Sequence, residues 1–187
     1  MKLSYFGFTD GINEVIAVTF GECVNTAPVG IIVEDAESRE AVARLYPSHT
    51  KRNVERNGKL WANVVYDPIV WALSSFEDLD ESWFETLDPP VIRNALAWCE
   101  FECAKIDEGN PAVFELKLVK GEVLRSYPKT VNRGFNALIE ALVHATRYLA
   151  TGDQKLLEKI EECGVLIRKC GGRMERKAFE IVLRRIR

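Results

Sequence analysis

Residues 45–58 read Leu-Tyr-Pro-Ser-His-Thr-Lys-Arg-Asn-Val-Glu-Arg-Asn-Gly, and the interpretation of the first part of the chain depends on how this stretch folds. Pro47 fixes the chain before a helix entrance at which Ser48 or Thr50 can act as the N-cap. Gly58 suits the left-handed residue that commonly ends a helix. The pattern therefore predicts a helix over residues 50–57, about two turns long.

The entrance of this predicted helix gathers side chains that suit a phosphate group. Helix starts leave backbone N–H groups unpaired and carry the positive end of the helix dipole, so they favour an anion. The side chains that could donate to phosphate oxygens are those of Ser48, His49, Thr50, Lys51 and Asn53. An ordinary capped helix is the alternative, and the loop alone does not decide between the two.

Short β-branched or alternating segments on both sides of the helix predict strands. Six or seven strands joined by short turns suit a small closed barrel, which removes the exposed strand edges. The last two predicted strands form a hairpin around Gly121. The predicted strands cover residues 11–20, 25–33, 39–46, 59–66, 97–105, 112–120 and 122–126.

Two places in these strands suit contact with a flat ligand. Asn25, Thr26 and Ala27 precede Pro28, which cannot donate to a strand ladder, so a ligand could approach the backbone closely there. A plain edge-strand start is the alternative. Asn63 lies among apolar neighbours, where its amide either satisfies a backbone group or touches a ligand. The sequence leaves both questions open.

After Tyr127 the spacing of apolar residues changes from that of strands to that of helices. We therefore predict a mainly β fold with some α, divided into a barrel domain over residues 1–127 and a helical subdomain over residues 128–187. A break between helices is expected at Gly171 and Gly172.

Charged segments outside the predicted barrel are assigned structural roles. Asp67 suits the N-cap of a short helix that has Pro68 at its first position. The acidic residues 76–90 are expected to form an excursion on the surface, with a lid over a ligand or a dimer contact as alternatives. Glu140 and His144 stand four residues apart on a predicted helix. They indicate a solvated or interface pair rather than an acid–base couple.

The composition is that of an ordinary globular protein. Of the 187 residues, 47% are hydrophobic and 28% are charged, and the formal net charge is −3. This net charge gives no case for wholesale nucleic-acid binding. Residues 168–187 carry eight Lys or Arg against two Glu. This local positive charge indicates a nucleic-acid partner only weakly, because cations near helix ends also complement the dipole.

The cysteines and the apolar runs indicate a compartment. The five cysteines are odd in number, form no CxxC pair and have few histidines beside them, so neither a disulfide framework nor a zinc site is predicted. The chain start lacks the apolar core of a signal peptide, and no run of about 18 apolar residues suggests a membrane span. We expect a soluble cytoplasmic protein with reduced thiols.

Five ordered motifs resemble a known family. The order and spacing are similar to those of DUF447, a group of unknown function in the FMN-binding split-barrel superfamily of flavin reductase-like proteins. The resemblance covers roughly residues 10–150. The motifs are Asn25-Thr26-Ala27-Pro28-Val29-Gly30, Ser48-x-Thr50-x-x-Asn53, Asn63-Val64-x-x-Asp67-Pro68, Asn132-Arg133-Gly134-Phe135 and Ile139-Glu140-Ala141-Leu142-Val143-His144-Ala145-Thr146-Arg147.

The resemblance implies a split β-barrel that binds FMN non-covalently at the interface of a homodimer. It implies that the phosphate is held by Ser48, Thr50 and Asn53, with His49 and Lys51 as helpers. It further implies that the ring and ribityl chain are lined by Asn25, Thr26 and Ala27, with Asn63 and Asn132 as further candidates. No residue of this sequence fixes a nicotinamide site.

Three functions follow as hypotheses. The first is an FMN-dependent oxidoreductase of flavin reductase-like type, in which the flavin carries the redox chemistry and no protein nucleophile, general base or metal is needed. The second is a non-catalytic flavin-binding or partner-binding module with a helical tail. The third is a nucleic-acid-binding module that uses the basic terminus. The electron donor, a nicotinamide cofactor or another small molecule, is left open.

Overall fold

The computed structural model describes the whole chain, Met1–Arg187. The chain forms two compact units, one made of Met1–Tyr66 with Asp78–Ser126 and the other of Asp67–Glu77 with Tyr127–Arg187. The first unit holds the strands and the second holds four of the five helices. The predicted domain boundary after residue 127 stays a prediction, because compact units need not fold independently.

The strands of the first unit confirm the predicted barrel. Six of them close antiparallel in the order β1-β2-β3-β8-β7-β4, and β5 pairs with β6 in a separate two-stranded sheet. β1 and β2 pair over their whole length, from Gly11 opposite Val33 to Phe20 opposite Val24. The strands are β1 (Gly11–Phe20), β2 (Val24–Val33), β3 (Glu40–Leu45), β4 (Lys59–Val64), β5 (Phe84–Leu87), β6 (Pro90–Ile92), β7 (Ala97–Asp107) and β8 (Ala112–Val123).

The barrel core includes a contribution from the chain start that the sequence analysis did not anticipate. A 3₁₀ turn at Leu3–Phe6 places Leu3 and Phe6 in the same buried cluster as the inward side chains of the strands. Phe8 packs its ring edge against the ring of Phe101, with the two centroids 6.3 Å apart. Burying apolar side chains of this size contributes about 1.5–3 kcal/mol each.

The predicted hairpin around Gly121 is wrong, because β8 runs through this residue as one strand. A Cβ atom at Gly121 would lie 2.4 Å from the carbonyl oxygen of Trp98 on the neighbouring strand. The glycine therefore marks a close backbone approach rather than a turn. The pairing of β7 with β8 also shifts register beside it, between Glu100 and Phe101.

The acidic segment, predicted to lie on the surface as an excursion, contains ordered structure and two buried side chains. A 3₁₀ turn at Glu81–Trp83 leads into the two-stranded sheet of β5 and β6. Leu79 and Phe84 are both 4% exposed, so their side chains anchor the segment to the protein. The charged residues between them stay on the surface, which explains why composition alone concealed the ordered part.

The short helix after β4 begins where the sequence places its cap. Asp67 accepts a hydrogen bond from the amide of Ile69 at 2.8 Å and Pro68 is the first residue of its helix, as predicted. None of the helices is both long and apolar enough to cross a membrane. α1 (His49–Asn57) lies in the first unit, and the second unit contains α2 (Pro68–Ser74), α3 (Arg133–Thr151), α4 (Gln154–Cys170) and α5 (Arg173–Arg185).

Glycines set the closest approaches within the helical unit. A Cβ atom at Gly134, in the first turn of α3, would lie 2.3 Å from the Cα atom of Gly171, which follows α4. Gly164 of α4 similarly leaves room for the ring of Phe179 on α5, whose nearest atoms are 2.7 Å from the position of a Cβ atom. The predicted break at Gly171 and Gly172 is confirmed, and it also provides the surface on which α3 starts.

We predict that Gly134→Ala lowers the free energy of unfolding by about 1–3 kcal/mol or more, because its methyl group would overlap backbone atoms that cannot move aside. The measurement is urea denaturation of the full chain followed by circular dichroism. Gly172→Ala is the matched control, since its Cβ atom would meet only the end of the Glu175 side chain, at 3.1 Å. Equal losses in both variants would contradict the packing explanation.

Candidate functional site

The first turns of α1 meet the connected ends of β1 and β2 through buried hydrogen bonds. The hydroxyl of Thr50 donates to Oδ1 of Asn25 at 2.8 Å, and the hydroxyl of Thr19 donates to the same oxygen at 3.0 Å. Asn53 Nδ2 donates to Thr19 Oγ1 at 3.1 Å. Thr50 is 3% exposed and Asn25 is 9% exposed. Two of the predicted motifs are therefore in direct contact, although 25 residues separate Asn25 from Thr50.

The other side of the Asn25 amide is held by Asp78, a residue that the sequence analysis missed. Asn25 Nδ2 and the backbone amide of Thr26 both donate to Asp78 Oδ1, each at 2.8 Å. The amide of Leu79 donates in turn to Thr26 Oγ1 at 2.9 Å. We call the group of Thr19, Asn25, Thr50, Asn53 and Asp78 the Asn25 network. It fixes both which way the Asn25 amide faces and how α1 sits on β2.

Beside this network the strand pairing of the barrel has a gap, which we call the opening. β2 pairs with β3 only through Ile31–Ala43 and Ile32–Val42, so the first half of β2 has β1 on one side and no strand on the other. Alternate residues of a strand direct their backbone groups to the same side. Because the Thr26 amide faces Asp78, the carbonyl of Pro28 faces the open side as well. Pro28 has no N–H group, which keeps this edge from pairing with another strand.

The amino end of α1 borders the same opening. Ser48 is the N-cap, since its hydroxyl accepts a hydrogen bond from the amide of Lys51 at 3.1 Å. The amides of His49 and Thr50 precede any possible partner within the helix and remain available to an anion. Ser48 and His49 are exposed. Gly58 ends the helix in the left-handed conformation, at φ 64°, as predicted.

The charge near this helix start is positive in sum. The ammonium of Lys51 lies 3.5 Å from a carboxylate oxygen of Glu55, and Lys105 lies 3.1 Å from the same oxygen. Hydrogen bonding from Lys105 lowers the pKa of Glu55, burial opposes this, and the charges of Lys105 and Lys51 lower it further. Lys105 is also paired with Glu108, so the two lysines face two carboxylates, and the exposed Arg52 on α1 leaves a net positive charge.

The two remaining candidate residues lie in other hydrogen-bonded settings. Asn63 is fully buried, where its Nδ2 donates to the carbonyl of Pro90 at 3.1 Å and its Oδ1 accepts from the amide of Ile92 at 2.9 Å. It therefore satisfies backbone groups of β6. Asn132 caps α3 and donates from Nδ2 to Glu175 at 3.0 Å. A role of either residue in ligand binding stays a prediction.

His144, Cys99 and Cys103 are not arranged as a catalytic or redox group. Burial lowers the pKa of His144, the charges of Lys159 and Arg147 lower it further, and that of Glu140 opposes them. Burial raises the pKa of Cys99 far above its usual value and that of Cys103 to about 12, so these thiols stay protonated. No group of three His, Cys, Asp or Glu residues is placed to hold a metal ion.

Sequence reasoning could have found one of the missed residues but not the other. Thr19 lies opposite Asn25 in the pairing of β1 with β2, which follows from a hairpin turn at residues 21–23. Asp78 lies 53 residues from Asn25. It stands in a segment whose acidic composition suggested only solvent exposure. No local pattern distinguishes Asp78 from the other carboxylates around it.

The fold and this opening define a small antiparallel split barrel with a helical extension. The model for the N-terminal domain of DUF447, described as a protein of unknown function, matches residues 13–125, and a second DUF447 model matches residues 132–184. The chain belongs to the DUF447 family, which confirms the resemblance drawn from the motifs.

One of the similar solved structures contains a bound ligand. The chain is similar to the FMN-bound DUF447 protein MM1853 from Methanosarcina mazei, at 40% identity over 98% of this chain and 99% of that one, with a TM-score of 0.88. BorF, the flavin reductase component of a bacterial two-component tryptophan halogenase, is 16% identical over 66% of this chain and 86% of its own, with a TM-score of 0.49. At that level the second comparison indicates no function.

We predict that Asp78→Ala lowers the free energy of unfolding by about 1–3 kcal/mol, because the amides of Asn25 and Thr26 lose a shared charged acceptor. Thermal and urea denaturation of the ligand-free protein measure the change. Glu81→Ala is the control, since it removes an exposed carboxylate from the same segment. If the two variants were equally stable, the Asn25 network would not hold the segment in place.

Proposed function

We propose that the protein binds FMN non-covalently at the opening between β2 and the amino end of α1. The observation that carries the proposal is the direct contact of Asn25 with Thr50, which joins the two predicted halves of the site. The FMN-bound relative, 40% identical over nearly the whole chain, supports the choice of ligand. The phosphate of FMN needs hydrogen-bond donors and positive charge, and its ring needs a flat surface. The start of α1 and the edge of β2 would supply these two surroundings side by side.

The residues at the start of α1 fit the phosphate group. The free amides of His49 and Thr50 point along the helix axis, and the hydroxyl of Ser48 is exposed beside them. Lys51 and His49 would add donors, and the local charge is positive. Thr50 and Asn53 remain in the proposed site. Their hydrogen bonds to Asn25 on β2 and Thr19 on β1 indicate that they hold the phosphate-binding turn against these two strands.

The open edge of β2 fits the planar part of the ligand. Asn25, Thr26 and Ala27 would line it. No strand covers this side of β2, and Ala27 is the one of the three that is partly exposed. Asn63 is a weaker candidate, because both its donor and its acceptor are engaged with β6. Asn132 would contact the flavin from the same subunit or from the other subunit of the dimer.

A homodimer with FMN at its interface is part of the proposal. Tyr46, which comes directly before Pro47 and Ser48, is 63% exposed. A second subunit could cover such an aromatic side chain beside the site and complete the walls that one barrel lacks. The five cysteines are free thiols, which supports the cytoplasm as the compartment.

The proposed activity is that of a flavin reductase-like oxidoreductase. Bound FMN supplies hydride and electron transfer, and the protein supplies binding, orientation and control of water access. The Asn25 network would keep the residues under the ring rigid, because the donors and acceptors that orient Asn25 are paired within the protein. No protein acid or base is assigned to the reaction.

We predict that Lys51→Gln weakens FMN binding about tenfold, or about 1.4 kcal/mol, and leaves riboflavin binding almost unchanged. Riboflavin lacks the phosphate, so the ratio of the two affinities isolates the phosphate contact from any change in folding. Quenching of flavin fluorescence on titration with protein measures both affinities.

Arg56→Gln is the matched control, because it removes one exposed positive charge from the last turn of the same helix. It should leave both affinities within about twofold, since an exposed charge more than a Debye length from the ligand is largely screened. An equal loss of FMN and riboflavin affinity in the Lys51 variant would argue against a phosphate site at α1.

Reduction of the bound flavin distinguishes an enzyme from a non-catalytic flavin-binding module. We predict that NADH or NADPH added without oxygen bleaches the visible absorption of the FMN-loaded protein faster than that of free FMN. Light scattering of the same sample should give the mass of a dimer. Tight FMN binding without nicotinamide-dependent bleaching would make the protein a flavin-binding module, and failure to bind FMN at all would remove the proposal.

A further inference from the structure

Six exposed cations come together where α3 and α5 begin and α4 ends. The contact between Gly134 and Gly171 brings the three helix ends together, since a Cβ atom at Gly134 would lie 2.3 Å from Gly171 Cα. The bond from Asn132 to Glu175 joins the start of α3 to the first turn of α5. We call this surface the basic junction, and its exposed cations are Arg133, Arg168, Lys169, Arg173, Arg176 and Lys177.

The positive charge of the basic junction is not neutralised within the protein. None of its six cations takes part in a salt bridge. Glu175 is the only carboxylate among residues 168–177. Its oxygens already accept hydrogen bonds from Asn132 Nδ2, at 3.0 Å, and from the amide of Gly172, at 2.8 Å. The surplus is unusual in a chain whose formal net charge is −3.

Three of these cations stand where they oppose the helix dipoles. Arg133 opens α3, and Arg173 and Arg176 lie in the first turn of α5. A cation near a helix start is unfavourable, whereas one near a helix end is favourable. The helix dipoles therefore account for Arg168 and Lys169 at the end of α4 but not for these three cations, which an anionic partner would stabilise.

We propose that the basic junction binds the sugar–phosphate backbone of a double-stranded nucleic acid without sequence preference. Four of the six cations are arginines, whose planar fork matches phosphate oxygens in two-point contacts. A protein partner would need an apolar centre, but among residues 168–177 the one exposed large apolar side chain is Met174, at 39%. The same residues include no aromatic side chain on which single-stranded bases could stack.

The test is fluorescence anisotropy of a labelled duplex titrated with the full-length protein over a range of salt concentrations. We expect the logarithm of the affinity to fall with the logarithm of the salt concentration at a slope of about −3 to −5, the value for four or five phosphate contacts. Replacing Arg173, Arg176 and Lys177 together by Gln should reduce the slope by about 2–3 and weaken binding at low salt at least about tenfold.

Two further variants test whether a change in total charge or in folding, rather than the loss of the junction cations, weakens binding. Lys155→Gln, Arg184→Gln and Arg187→Gln together remove the same charge from exposed positions outside the junction, and they should leave the slope within about one contact of the parent. Arg133→Gln lies on a different helix and should also weaken binding, so the proposal does not depend on whether the triple variant folds.

Three outcomes would overturn the proposal. The parent protein does not bind duplex at low salt, the control triple variant loses as much affinity as the junction variant, or polyglutamate displaces the duplex at an equal concentration of charge. The last result would mean that the surface recognises an acidic protein instead. Because FMN affinity is expected to be the same in all these variants, failure of this proposal is distinct from failure of the flavin site.

Discussion

The buried side-chain amide of Asn25 is the constraint on which the rest of the site depends. Its oxygen accepts from two hydroxyls, those of Thr19 and Thr50, and its nitrogen donates to Asp78. Leaving a buried amide unpaired costs about 1–3 kcal/mol, and these partners satisfy both its oxygen and its nitrogen. Their hydrogen bonds join α1 and the segment after α2 to the same edge of β2. An ordered opening results from polar contacts rather than from apolar packing.

The open side of the barrel has a simple geometric origin. β3 pairs with β2 over two residue pairs and then turns into the loop before α1, so the first half of β2 keeps an unpaired edge. Such an edge invites pairing with other chains unless it is protected. Here Pro28 removes one donor and Asp78 occupies the amide of Thr26. Asp78 and the start of α1 cover the beginning of this edge, where Asn25 and Thr26 are buried, whereas Ala27 and Pro28 are partly exposed.

Local sequence signals predicted a large part of the fold. The ten residues of β1, a helix cap at Ser48 or Thr50, the left-handed Gly58 and the start of α2 at Asp67 all follow from propensity, capping and turn chemistry within a few positions. The errors fall where a distant contact overrides the local signal. Gly121 suggested a turn because glycine often interrupts strands. In the structure it lies within β8, where the close carbonyl of Trp98 leaves no room for a side chain. Residues 76–90 suggested a surface segment because their charged residues outnumber the few side chains, such as Leu79 and Phe84, that are buried.

The sequence by itself determined the family, the succession of strands and helices, and the residue types gathered at the start of α1, because each of these is written in local order and spacing. Only the tertiary structure decided that Thr50 turns inward to Asn25, that Asp78 completes the network, and that cations from three helix ends share one surface. These facts depend on contacts between residues far apart in the chain. Such contacts arise when the barrel and the helices pack, and no short stretch of sequence contains both partners.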